Sequence, residues 1–225
     1  MSTNGRDQVL ARVRASLRAA ERAAMHASDH PGPPQPPRSD AQRPDRTHAE
    51  LVDLLAERVE DYRATVVRTD EAGVAAAVAD ALADLDPGDV AAPPGLPDAW
   101  RSHGWRDGTA ASHDELQTVQ AVVTACRTAI AETGTIVLDH DADQGPRRLT
   151  LVPDRHVCVV RTDQVVADVD DAFAVLRPAE PGRPVPPMTF VSGPSATSDI
   201  ELQRVEGVHG PRTLVVVLVA APVPG

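Results

Sequence analysis

The chain of 225 residues contains no lysine, and all 22 of its basic residues are arginine. A Schiff-base enzyme, a pyridoxal-phosphate enzyme and a Walker-type nucleotide site each depend on a lysine amine, so these three chemistries are excluded. Asparagine is nearly as scarce: Asn4 stands alone, so any amide assistance must come from glutamine or the backbone. The two cysteines, Cys126 and Cys158, show no CxxC spacing. An iron–sulfur cluster normally takes about four thiolates, so this chain does not ligate one by itself. Both thiols read as reduced and largely buried. No run approaches the roughly 18 apolar residues of a membrane span, and the N-terminus is charged from Arg6 onward, with no signal-peptide core. The expectation is a cytoplasmic protein with no membrane partner.

What is present is unevenly charged. The formal charge is −11, yet Arg6, Arg12, Arg14, Arg18 and Arg22 face only Asp7 and Glu21 in residues 1 to 24, a local +3 that leaves −14 for the rest. An acidic body lacks the basic stripe that nucleic acid requires, so nucleic acid is not an expected partner. Leu10, Val13, Leu17 and Ala20 recur at helical spacing and predict an amphipathic helix within residues 1–26. That helix either docks on the body or reaches another protein; its apolar face has no large aromatic to anchor a membrane surface. Pro31, Pro33, Pro34, Pro36 and Pro37 make residues 27–47 a linker.

Residues 48–222 read as one α/β domain. A helix is predicted at His48–Asp61, a strand at Ala64–Arg68, a helix at Glu71–Leu85 and a strand near Asp89–Ala92, an alternation that suggests a parallel sheet covered on both faces. From Gln120 the strands crowd together as VVT, TGTIVL, LTLV and HVCVV. The last two are separated by a Pro153–Asp154 turn and predict a hairpin or meander. A helix follows at Ala167–Leu176. The strands MTFV (188–191) and TLVVVLV (213–219) read as buried, with two islands of small and turn-forming residues, SGPSATSDIE and GVHGP, at strand ends where open α/β sheets place their crevices.

The islands hold most of the candidate site. Ser192, Gly193, Pro194, Ser195 and Thr197 form a turn with hydroxyl donors suited to an anionic group. Ser198 with Glu201 reads as a capping box that opens a short helix, which gives Asp199 and Glu201 a structural role beside a ligand-binding one. In the second island Gly207 and Gly210 flank His209, allowing close backbone approach around a side chain that titrates near neutrality. A third element is AIAETGTIVL (129–138). Here Glu132, before Thr133, Gly134 and Thr135, is the candidate base or nucleophile, with a carboxylate partly desolvated or else paired with an arginine such as Arg127. His156 opens HVCVV and is placed to meet Glu132 across strands. DHDAD (139–143) has no ligand at calcium-loop spacing and reads as a solvated hairpin tip, so no metal site is expected.

Taken together, AIAETGTIVL, LTLVPDRHVCVV, MTFVSGPSATSDIE and VEGVHGP with the following LVVVLV resemble the lactate-utilisation protein C family (LutC/YkgG, the LUD domain). The resemblance spans roughly residues 1 to 219 and rests on four motifs in order. It implies a layered α/β fold of the glucosamine-6-phosphate deaminase, ribose-5-phosphate isomerase and CoA-transferase type, with an N-terminal helical extension. It also implies a subunit of a system that oxidises L-lactate to pyruvate with iron–sulfur partner proteins. The clusters are expected in those partners and no cofactor in this chain. The resemblance departs at Cys126 and Arg127, where smaller or acidic residues are expected. The alternative is a ligand-binding or acyl/CoA-transferase-like enzyme that uses Glu132, with His209 and His156 orienting and a small anion held at the SGPS turn.

Overall fold

A computed structural model of the chain describes residues 12, 14, 45–176, 187–197, 205–206 and 210–221. The chain divides into two compact units, Met1–Asp45 and Arg46–Gly225. In the first, Arg12 and Arg14 are helical and exposed; the rest of the predicted helix and linker up to residue 44 lies outside the described residues. Everything below concerns the second unit.

The first helix, α1 (His48–Asp61), begins where Thr47 and Glu50 cap each other. The Glu50 amide donates to Thr47 Oγ1 at 3.3 Å and the Thr47 amide donates to Glu50 Oε2 at 2.7 Å, which satisfies donors that have no partner within the helix. Its apolar stripe, Val52, Leu55, Ala56 and Val59, is buried. Strand β1 (Thr65–Asp70) leads through a single 3-10 turn, capped by Asp70, into α2 (Val74–Ala81). Next come β2 (Val90–Ala92), β3 (Arg106–Asp107), the short α3 (His113–Gln117) and β4 (Ala121–Thr124). Strands β5 (Thr128–Ile130), β6 (Thr135–Leu138), β7 (Arg155–Arg161) and β8 (Val165–Val166) precede α4 (Val169–Val175). The chain closes with β9 (Thr189–Val191), β10 (Ala196–Thr197), β11 (Val205–Glu206) and β12 (Thr213–Ala220).

Six strands form one parallel sheet in the order β1-β12-β7-β4-β2-β3. Its central strands are near-continuous runs of valine and leucine because both faces are covered. One face buries Val157, Val159, Val215 and Val217 against Val74 and Val78 of α2. The other buries Val160, Leu214, Val216 and Leu218 against Leu55 and Val59 of α1 and against Ile136 and Leu138. Those last two belong to a second, four-stranded sheet, β8-β5-β6-β9, whose outer face α4 covers through Ala172. Two strands, β10 and β11, pair by themselves. The expected layered α/β fold is present, with a second sheet in one of its layers.

Three local expectations are corrected. LTLV is not a strand: its backbone closes on itself from Pro146 onward, with Leu149 N–H donating to Pro146 O at 2.8 Å and Val152 N–H to Arg148 O at 3.2 Å. No strand position beside β7 is open to it, because β4 and β12 flank β7 on both sides. The antiparallel hairpin is instead β5–β6, closed by Gly134 at φ +61°. There a Cβ would stand 2.7 Å from Arg58 Cβ, so only glycine fits. MTFV is not buried either: β9 is the edge of the second sheet, and Phe190 is 44% exposed. DHDAD, finally, is a solvated tip only at Asp141 and Ala142, which are exposed. Asp139 and Gln144 are buried, and the loop is tied down where Gly95 N–H donates to Ala142 O and Ala125 N–H to Asp143 O.

Candidate functional site

Strand β9 carries the first island to a cavity of about 170 Å³, small beside the roughly 300–1,000 Å³ of pockets for drug-sized ligands. Thr189, Ser192 and Ser195 supply hydroxyls to its wall, and Gly193 and Gly210 supply bare backbone. Gly193 turns the chain with φ +93° against Tyr62, where a Cβ would come within 2.6 Å of Tyr62 Cβ. The opposite wall is His156 and Leu214, the second residues of β7 and β12, with Thr150 and Leu151. The cavity thus opens at the amino ends of these parallel strands, not at the carboxyl ends where open sheets usually bind. The DHDAD loop lies over the carboxyl ends of β2 and β4.

His156 is buried, with 1% of its surface exposed, and its Nε2 lies 2.8 Å from Thr124 Oγ1 on the neighbouring strand. Next to it on the same face is Cys158, whose thiol is drawn down by the neighbouring Cys126 thiol and by His156. Cys126 is pushed up by its nearness to Cys158 and by burial. Both cysteines are free thiols and buried, as expected from the sequence.

Ser192 Oγ lies 2.8 Å from Thr135 Oγ1, which in turn accepts from Thr133 Oγ1 at 2.7 Å. The structure thereby brings the first island against the AETGT element. Neither Glu132 nor its neighbours Thr133, Gly134 and Thr135 enter the cavity wall; Thr135 only backs it through Ser192. The Glu132 side chain is 43% exposed, against the expectation of a partly desolvated carboxylate, because it sits on the outward turn of the β5–β6 hairpin. Its arginine partner is Arg46, at 3.8 Å, and not Arg127, which donates instead to Val175 O at 2.8 Å. Thr197 is described only as backbone in β10. Asp199, Glu201, Gly207 and His209 lie outside the described residues, and so does the predicted helix start at Ser198.

One residue escaped the sequence reading. His140, in the DHDAD loop, places Nδ1 3.0 Å from Gly145 O and Nε2 2.8 Å from Thr189 Oγ1 in the cavity wall. Its backbone holds φ +57°, rare for any residue with a side chain. Burial, the largest effect, and Arg147 lower its pKa, which favours the neutral ring. A histidine between two aspartates before a Gly-Pro turn was the available signal; its partner Thr189 is 49 residues away and could not be read from spacing.

Residues 47–219 match the family model of the LUD domain. The chain belongs to the LUD domain family. A relative from Deinococcus radiodurans, named lactate utilization protein C, is 47% identical over 177 residues, which cover 77% of this chain and 81% of the relative. Another of that name from Bacillus licheniformis is 29% identical over 184 residues, 73% of this chain and 76% of the relative. Among solved structures, a DUF162 family protein from Deinococcus radiodurans is similar with a TM-score of 0.63 and 40% identity; the match covers 77% of this chain and 99% of that one. The LUD-domain match begins at the helix cap Thr47 and ends within β12, so it takes in both sheets and the cavity.

Proposed function

We propose that this LUD-domain protein serves lactate utilisation as a component that holds a small organic acid, while iron–sulfur partner proteins carry the redox step. The observation that carries the reading is the 47% identity to a protein named lactate utilization protein C, sustained over four-fifths of that relative. The cavity supports it by size, since about 170 Å³ is small for a nucleotide or an acyl-CoA, and its mostly apolar wall, with Leu151, Phe190, Val191 and Leu214, carries a few hydroxyls, bare glycine backbone and one buried histidine. Nothing in the placement of Glu132 favours the acyl-transfer alternative, because that carboxylate is exposed, paired with Arg46 and absent from the cavity wall.

Deletion of the gene in its own host should abolish growth on L-lactate while leaving growth on pyruvate intact, and the wild-type gene should restore it. Affinity purification from lactate-grown cells should bring down cluster-bearing proteins, recognisable by their visible absorbance. Undiminished growth of the deletion strain on L-lactate would overturn the proposal.

A further inference from the structure

Of two hydroxyls in the cavity wall, Thr189 is held as an acceptor toward the cavity, whereas Ser192 is able to donate. The first case follows from His140. A carbonyl oxygen can only accept, so the 3.0 Å contact with Gly145 O places the ring proton on Nδ1. The neutral ring then has a bare Nε2, and Thr189 must donate to it across 2.8 Å. With its one proton committed, Thr189 Oγ1 offers the cavity only lone pairs.

Ser192 is able to act in the reverse sense. Thr133 donates to Thr135 Oγ1 at 2.7 Å, and Thr135 then has two outlets, Ser192 Oγ at 2.8 Å or the Thr133 carbonyl at a long 3.4 Å. Either hydroxyl can be the donor in the Ser192–Thr135 contact; when Thr135 donates, both short bonds are kept and the Ser192 proton is left for a ligand. The wall can therefore present an acceptor at Thr189 and a donor at Ser192.

We propose that the His140–Thr189 pair makes this cavity selective for a small acid that carries a hydroxyl beside its carboxylate, the hydroxyl donating to Thr189 and the carboxylate accepting from Ser192. Resting on the reading of the cavity as a small-acid site, the inference goes beyond it by assigning a specificity-determining residue, His140, that never touches the ligand. In the bound state three bonds run in one direction: ligand hydroxyl to Thr189, Thr189 to His140, and His140 Nδ1–H to Gly145 O. Each donor is strengthened by the next. A 2-oxo acid or an unsubstituted acid has no hydroxyl proton to give and leaves Thr189 unsatisfied. The left-handed backbone of His140 fits this role, since such conformations persist where the surrounding structure holds a side chain for a task.

Calorimetric titration of the full chain with L-lactate, pyruvate and propionate tests the assignment. L-Lactate is expected to bind about tenfold more tightly than the other two, the order of one hydrogen bond in a partly enclosed site. Thr189→Val should bring the three affinities together, and Ser192→Ala should weaken all three alike. Long-range ¹H–¹⁵N spectra of the histidines should show His140 protonated at Nδ1 and bare at Nε2 in neutral solution, a readout that needs no ligand. Equal affinity for lactate and propionate overturns the selectivity while leaving the small-acid reading in place; binding of none of the three overturns both. A His140 ring protonated at Nε2 overturns the dyad alone.

Discussion

At the scale of single residues, His140 and Gly193 carry the most consequence. Burial holds the His140 imidazolium below its ordinary range; Arg147 adds to the shift and Asp139 opposes it. The folded protein thus takes up this proton less readily than the unfolded chain, so the stability that His140 contributes is complete above the unfolded value of about 6.5 and drains as pH falls through it. Thermal midpoints should therefore drop between about pH 7 and pH 5, and His140→Gln should flatten that part of the curve. Asp143, pushed up mainly by burial, acts in the opposite sense as the carboxylates titrate, which is why the comparison with His140→Gln isolates the histidine. At Gly193 a methyl group meets both a left-handed backbone and Tyr62. Gly193→Ala should cost at least about 1 kcal/mol in denaturant unfolding and weaken ligand binding, because the turn that carries Ser192 and Ser195 must back away from Tyr62.

At the scale of elements, local rules of capping and pairing decided the outcome. Helix α1 starts where Thr47 and Glu50 exchange bonds, and its bounds, His48–Asp61, are those the periodicity predicts. Thr47→Ala should lower stability by about 1 kcal/mol, read as a shifted midpoint with an unchanged slope in urea unfolding. Helix α4 begins at Val169 because Asp168 accepts from the Asp171 amide and caps it there, two residues beyond the predicted start. Strand β9 shows how an apolar tetrapeptide misleads. MTFV has strand composition, but as a sheet edge it buries little, and Phe190 instead leans on Phe173 of α4 with ring centroids 6.2 Å apart. LTLV has the same composition and is not a strand at all, since Pro146 and the occupied flanks of β7 turn it into a 3-10 turn that buries Leu149.

At the scale of the whole molecule, the parallel sheet is held between two apolar clusters, and the face shared with the second sheet contains the cavity. Leu138 joins β6 to that cluster with no exposed surface. Leu138→Ala should cost about 2–5 kcal/mol in denaturant unfolding, since it removes buried methyl groups and leaves a void between two sheets that cannot both close on it. Among the described residues no helix is long and apolar enough to cross a membrane.

The alternation of helices and apolar strands, the absence of lysine chemistry and the four motifs were legible without coordinates. Periodicity, composition and short-range order are properties of neighbouring residues, and they were enough for the α/β class and the family. Only the tertiary structure decided which strands pair and which end of the sheet stays open. It folded LTLV into a turn, tied the DHDAD loop to the body, set Glu132 outward beside Arg46, and put His140 on Thr189. Those outcomes depend on which partners compete for the flanks of β7 and for the ends of β2 and β4, a contest among residues tens of positions apart that no local pattern encodes.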